Sequence, residues 1–186
     1  LSVLRRDFQF NVLNCRSAVT AAIKADAVID QQEFILNSCG NNTVTFQNQS
    51  VIEEYIRSYR WIFDINGTDV ESMDRDATFT FPGIGNYRGI MIVNEEQQCG
   101  DTAYINVNVY PSITADFEFD YDTCIAGPVS FTDKSFTNAQ ILTAWDWDFG
   151  DASGSPLRNP NHLYEKPGLI PIELIVTDNN LCKDTM

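Results

Sequence analysis

The chain has little base and almost no histidine: 12 lysines and arginines stand against 26 aspartates and glutamates, and one histidine occurs in 186 residues. A formal net charge of −14 repels phosphate backbones and anionic headgroups, which disfavours nucleic acid and membrane surfaces as partners. No apolar run approaches the roughly 18 residues that a membrane-crossing helix needs, and no basic stretch followed by an apolar one stands at the start. No two cysteines have C-x-x-C spacing, so zinc-ribbon and haem-attachment patterns are missing. The strand lysine and Asp-Asn loop that phosphoryl transfer requires do not accompany the tripeptide Asp148–Phe149–Gly150, so its likeness to a kinase motif is accidental.

What remains is ordinary globular material, 44% hydrophobic and 20% charged, long enough for one large or two small domains. Five cysteines supply the strongest signal. Cys15, Cys99 and Cys182 are spaced by 84 and 83 residues, and Cys39 and Cys124 by 85, so one period runs through the chain. Neighbouring segments agree: "FTFPGIGNYRGIMIVNEEQQC" and "HLYEKPGLIPIELIVTDNNLC" run without a gap to Cys99 and Cys182. This periodicity predicts a tail of a preceding repeat over 1–31, a complete repeat over 32–110, and a second over 111–186 that lacks its last strand. The expected native polypeptide extends beyond both ends.

Short segments with period two dominate: Phe8, Phe10 and Val12; Phe117 and Phe119; Val129 and Phe131; Ile170, Ile172, Leu174 and Val176. Turn residues punctuate them ("NNT", "NGT", "PGIG", "AGP", "KPG"), which is the pattern of an antiparallel sandwich. The alanine-rich "SAVTAAIKADA" is read as strand by its register against "DTAYINVNVYP". One short helix is expected in "SVIEEYIRSY", where Ser50 and Glu53 have capping-box spacing and Val51, Ile52, Tyr55, Ile56 and Tyr59 recur at helical intervals.

In "WDWDFGD" (Trp145 to Asp151) the rings of Trp145, Trp147 and Phe149 alternate with Asp146 and Asp148. A strand sets the rings on one face and the acids on the other, so the rings are candidate core and the acids face water. Together with "NPNHLY" (Asn159 to Tyr164) and "PGLIPIELIVTD" (Pro167 to Asp178), this stretch resembles the signature of PKD domains, the immunoglobulin-like modules first described in polycystin. The resemblance covers about 111–186, with Ala152 where the family has glycine. The first repeat is similar only at Trp61 and Phe63, which align with Trp147 and Phe149. The resemblance implies an all-β fold of tandem immunoglobulin-like antiparallel sandwiches, with Trp61, Phe63, Trp147, Phe149 and Tyr164 as structural core. Cysteine placement and tandem order further resemble PKD arrays in large secreted surface proteins of Bacteroidota, including gliding-associated adhesins.

Catalytic readings find less support. A glycosidase would recruit two of Asp146, Asp148 and Asp151, yet alternation sets the first two on an open face without a cleft to raise one pKa. His162 has no activated serine or cysteine in an elbow-like context, and packing with hydrogen bonding is the favoured role, as the resemblance implies. "DINGTDVESMDRD" supplies Asp64, Asp69, Glu71, Asp74 and Asp76 in an expected loop, a weak candidate for Ca²⁺ whose spacing does not follow an EF-hand; a solvated acidic loop is favoured, and no other cofactor is expected. Sequons occur at Asn41, Asn48 and Asn66, and "DTA" (Asp101 to Ala103) and "DTM" (Asp184 to Met186) resemble an O-glycosylation motif of Bacteroidota.

In an acidic β array of secreted type, Cys15, Cys39, Cys99, Cys124 and Cys182 are disulfide candidates. The default pairs Cys39 with Cys99 and Cys124 with Cys182 inside repeats. Strand parity favours Cys39 with Cys182 across them, because connections at opposite poles of a sandwich lie farther apart than the roughly 7 Å that a disulfide spans. The function expected is a non-catalytic, disulfide-stabilised structural array of an extracellular or cell-surface filament, stalk or adhesin. Its partners are neighbouring repeats and copies of itself. The alternative is a carbohydrate- or protein-binding spacer of a secreted hydrolase, acting through exposed rings such as Tyr55, Tyr59 or Tyr110.

Overall fold

A computed structural model describes residues 20–25, the backbone of 27–30, and residues 33–51, 55–95, 99–122, 127–138 and 141–186. Cys15, Cys124, the expected strand at Phe8 to Val12 and most of the 1–31 segment lie outside them.

Seventeen strands account for most of the described chain: β1 (Ala27–Asp30), β2 (Glu33–Cys39), β3 (Thr43–Phe46), β4 (Tyr59–Ile65), β5 (Thr68–Ser72), β6 (Ala77–Thr80), β7 (Gly85–Val93), β8 (Asp101–Tyr110), β9 (Ile113–Thr114), β10 (Phe117–Asp120), β11 (Val129–Asp133), β12 (Phe136–Thr137), β13 (Leu142–Asp148), β14 (Gly154–Ser155), β15 (Asn161–His162), β16 (Glu173–Asp178) and β17 (Lys183–Thr185). The described fold is all-β. Its sheets have the orders β1-β2-β8-β7-β4-β5, β3-β6, β10-β11-β15, β9-β12 and β14-β13-β16-β17. The chain forms two compact units, one of Leu1–Leu36, Thr45–Phe79 and Tyr87–Asn106, the other of Asn37–Val44, Thr80–Asn86 and Val107–Met186.

In the first unit, alternation on β4 turns Trp61 and Phe63 inward, both fully buried. They meet Phe46 of β3 at ring-centroid distances of 5.7 and 5.0 Å, and Phe63 meets Phe79 of β6 at 4.8 Å. On β8, Ala103 and Ile105 are buried while Tyr104 is exposed. Residues 20–25 are extended, with bridges from Thr20 to Val51 and from Ile23 to Asn48, and Ala21 and Ile23 lie in the core. The helix expected at "SVIEEYIRSY" falls partly on residues 52–54, outside the described residues; Val51 bridges Thr20, and Tyr59 opens β4.

The second unit packs β13 and β16 against β10 and β11. Trp147 and Phe149 are buried with Phe131, Leu174 and Val176, and Trp147 meets Phe117 and Phe131 at 5.1 and 5.3 Å. The expected strand from Ile170 to Val176 starts later than its pattern suggests. β16 opens at Glu173, paired with Asp148, because Pro171 has no N–H to give the ladder. Gly150 explains why the chain reverses here. Its φ is +74°, and a Cβ built on it would lie 2.1 Å from the Pro171 carbonyl oxygen.

Candidate functional site

The strand–turn corner after β13 gathers the polar residues that catalytic readings would recruit. Asp146 and Asp148 are exposed, as alternation requires, and Asp148 accepts the Gly150 N–H at 2.8 Å. Asp151 turns back on the corner. It accepts the Ser153 N–H at 3.1 Å and the Ser153 hydroxyl, and His162 Nε2 lies 2.7 Å from its other oxygen. The hydrogen bond from Ser153, then that from His162, holds the Asp151 carboxyl below its ordinary value.

This cluster contains serine, histidine and aspartate but is not wired as a relay. The Ser153 hydroxyl proton goes to the carboxylate, and the imidazole nitrogen nearest the hydroxyl, at 3.3 Å, is the one that donates to Asp151. A relay needs the aspartate on the far nitrogen. His162 is instead fixed as an aromatic slab, stacked on Phe149 at 4.3 Å and met edge-on by Tyr164 at 4.5 Å. The Tyr164 hydroxyl donates to the Phe149 carbonyl at 3.2 Å, and burial followed by the nearby Asp151 charge raises its pKa.

The five acids of "DINGTDVESMDRD" occupy a hairpin and the turn after it, which corrects the expected loop. Asp64 lies on β4, Asp69 and Glu71 on β5, and Asn66 and Gly67, both with positive φ, make the two-residue turn. Four of the five carboxylates have separate duties. Asp64 accepts the Gly67 N–H, Glu71 binds Arg60 at 2.8 Å, Asp74 meets the Ser72 hydroxyl, and Asp76 accepts the Asn48 N–H at 2.8 Å. Arg60 lowers the Glu71 pKa. Among the described residues no three His, Cys, Asp or Glu side chains converge as a metal would require.

Cys39 and Cys182 form a disulfide closing 143 residues of chain, with Cα atoms 5.7 Å apart. This is the pairing that strand parity favours. Cys99 is also disulfide-bonded, which excludes Cys39 with Cys99. Cys182 is buried in the core of the second unit, and Cys39 is exposed at the end of β2.

A buried polar motif that sequence reasoning missed occurs once in each unit. In "FQNQS" and "FTDKS", Asn48 and Asp133 accept the N–H of Ser50 and Ser135 at 3.1 and 2.9 Å. The Ser50 and Ser135 hydroxyls accept the N–H groups of Ala22 and Asp116, at 3.1 and 3.0 Å. One residue earlier, Ala21 and Ala115 donate to Asp101 and Asp184, each at 2.8 Å. The indoles also match: Trp61 donates to the Asp74 carbonyl and Trp147 to that of Leu157. The recurring "DT" that resembles a glycosylation motif therefore has a packing duty. Of the sequons, Asn48 is buried, whereas Asn41 and Asn66 are exposed.

The exposed rings are not all those expected. Tyr55 is 49% exposed, but Tyr59 and Tyr110 are half-buried. Phe119 and Tyr121 are more open, at 55% and 53%, with centroids 6.2 Å apart and planes within 20°. They border a groove of about 550 Å³ between β10 and β11 on one side and residues 164–172 on the other.

None of the curated proteins matches the chain. Among solved structures, the PKD1 domain of Vibrio anguillarum Epp is 28% identical, with 40% of this chain and 84% of that one covered at a TM-score of 0.37. The N-terminal eight Ig domains of Down Syndrome Cell Adhesion Molecule isoform 1.30.30 are 14% identical, covering 83% of this chain and 24% of that one at 0.32. The amphioxus IgVJ-C2 molecule is 11% identical, covering 81% and 97% at 0.34. Residues 108–185 match the family model of the PKD domain.

Proposed function

We propose that the chain is a non-catalytic, load-bearing segment of an extracellular surface polypeptide, built of related β-sandwich repeats like those of a filament, stalk or adhesin. The disulfide between Cys39 and Cys182 carries this reading. It places 143 residues inside a covalent loop, so tension between the chain ends bypasses most of the polypeptide. Disulfides belong to oxidising compartments, and among the described residues no helix is long and apolar enough to cross a membrane. At the corner after β13, Asp148, Asp151 and His162 hold a turn. The matched polar motifs support descent of both units from one repeat, and the pairing of Ala21 with Asp101 and of Ala115 with Asp184 favours starting the first repeat near Thr20.

The test is the complete reading frame together with labelling of intact cells by an antibody raised against the chain. The reading expects further PKD-like repeats and surface label on unpermeabilised cells. An adjoining hydrolase domain, or label only after permeabilisation, would overturn it.

A further inference from the structure

We propose that Asn66 is a self-modifying site, converted to aspartate and isoaspartate by attack of the Gly67 nitrogen, and that the conversion releases the edge strand β5. The chain contains a single Asn-Gly dipeptide, and it forms the turn between β4 and β5. Both residues are exposed, and a Cβ built on Gly67 would meet nothing within 4 Å, so no side chain hinders approach of the Gly67 nitrogen to the Asn66 amide. Every other asparagine is followed by a residue whose side chain crowds that nitrogen.

In the reaction the Gly67 nitrogen gives up its proton to solvent and bonds to Asn66 Cγ, the Cγ–Nδ2 bond breaks, and the amide nitrogen takes a proton from solvent and leaves as ammonia. The cyclic imide that remains joins the Gly67 nitrogen to both carbonyl carbons of residue 66. Water opens it on either side. Breaking the new bond gives aspartate, and breaking the original peptide bond gives isoaspartate, whose main chain runs through Cγ. Water is the only co-reactant.

The Gly67 N–H donates to the Asp64 carboxylate at 2.8 Å, which engages the proton that must leave and holds the nitrogen in the turn. The turn therefore opens before attack, and β5 opens at low cost, because it is a sheet edge joined through β4 and exposed along almost its whole length. The product keeps it open. A new negative charge at position 66 joins Asp64 and Asp69, which already face one another across the two strands. Isoaspartate also adds a main-chain carbon to a two-residue turn whose positive φ values at Asn66 and Gly67 fit the hairpin at its present length.

The experiment holds the 186-residue chain in mildly alkaline buffer and follows it by peptide mapping and by isoaspartate-specific enzymatic methylation. Conversion at Asn66 ahead of every other asparagine, to a mixture of aspartate and isoaspartate, is expected. Asp64→Ala should speed it about three- to tenfold, the factor that one hydrogen bond supplies. Backbone amide shifts of Thr68–Ser72 should move in the isoaspartate form, while the buried Trp61 indole keeps its own. The proposal is overturned if Asn66 converts no faster than the other asparagines, if aspartate is the sole product, if Asp64→Ala leaves the rate unchanged or lowers it, or if the β5 amides are the same before and after conversion.

Discussion

Opening the bond between Cys39 and Cys182 should change how far the chain can be pulled, by an amount set by its position alone. A residue in extended chain contributes about 3.5 Å, so the sequence separation of 143 between the cysteines hides roughly 500 Å of contour. Held at its two ends in an atomic force microscope, the intact chain should unravel to no more than about 150 Å, and the fully reduced chain to about 650 Å. The variant with both Cys39 and Cys182 changed to serine isolates this bond from the one at Cys99. Without reductant it should reach at least about 350 Å, whichever remaining cysteine holds Cys99. The same closure restricts the unfolded chain, for which loop entropy gives up to about 5 kcal/mol, read as a lower denaturation midpoint in the variant. An intact chain that extends beyond 150 Å without reductant would refute the reasoning, because the loop would then not be closed in solution.

Three further outcomes follow from local geometry. Ala152 has a φ of +69°, a left-handed backbone that glycine adopts freely, so Ala152→Gly should stabilise the protein by about 0.5–1 kcal/mol in urea denaturation; an unchanged or lower midpoint would contradict the strain. Ser135→Ala removes the acceptor of the Asp116 N–H and should cost about 1–3 kcal/mol, with Ser50→Ala behaving alike at Ala22, whereas a cost confined to one unit would show that the motifs are not equivalent. The Asp151 carboxyl titrates below its unfolded value of 3.8, so its bonds stabilise the fold above that pH and lose their effect as pH falls through the lower folded value. Melting curves of wild type and Asp151→Asn should therefore differ at neutral pH and converge in acid, and a gap that widens in acid would reverse the assigned sign.

Features carried by adjacent residues, or by a count along the chain, were legible in the sequence, and features that needed a contact between particular distant residues were not. Rings alternating with acids in "WDWDFGD" require only a strand, and the structure buries Trp147 and Phe149 while exposing Asp146 and Asp148. The cysteine pairing was reachable because it depends on strand parity, a count made along the chain. The acids of "DINGTDVESMDRD" misled because β5 is exposed along almost its whole length, so no apolar alternation reveals the strand, and only Asn66–Gly67 marks the hairpin. The start of β16 was misplaced because the pattern of apolar side chains carries no record of a missing N–H at Pro171.

The polar motif was hidden for a different reason. Asp101 and Asp184 find their partners 80 and 69 residues away, and nothing near either aspartate predicts a backbone N–H from another segment. Sequence did show that the two "DT" dipeptides share one position in the period. Recurrence at fixed register implies a common duty, and surface modification is one candidate among others. A buried N–H left without an acceptor costs about 1–3 kcal/mol, enough to keep an aspartate in place through packing alone. An acidic residue recurring once per repeat beside a strand end should therefore be tested first as an acceptor for a neighbouring strand. Modification of the threonine that follows then becomes an independent question, open at the exposed Thr185 and hindered at the half-buried Thr102.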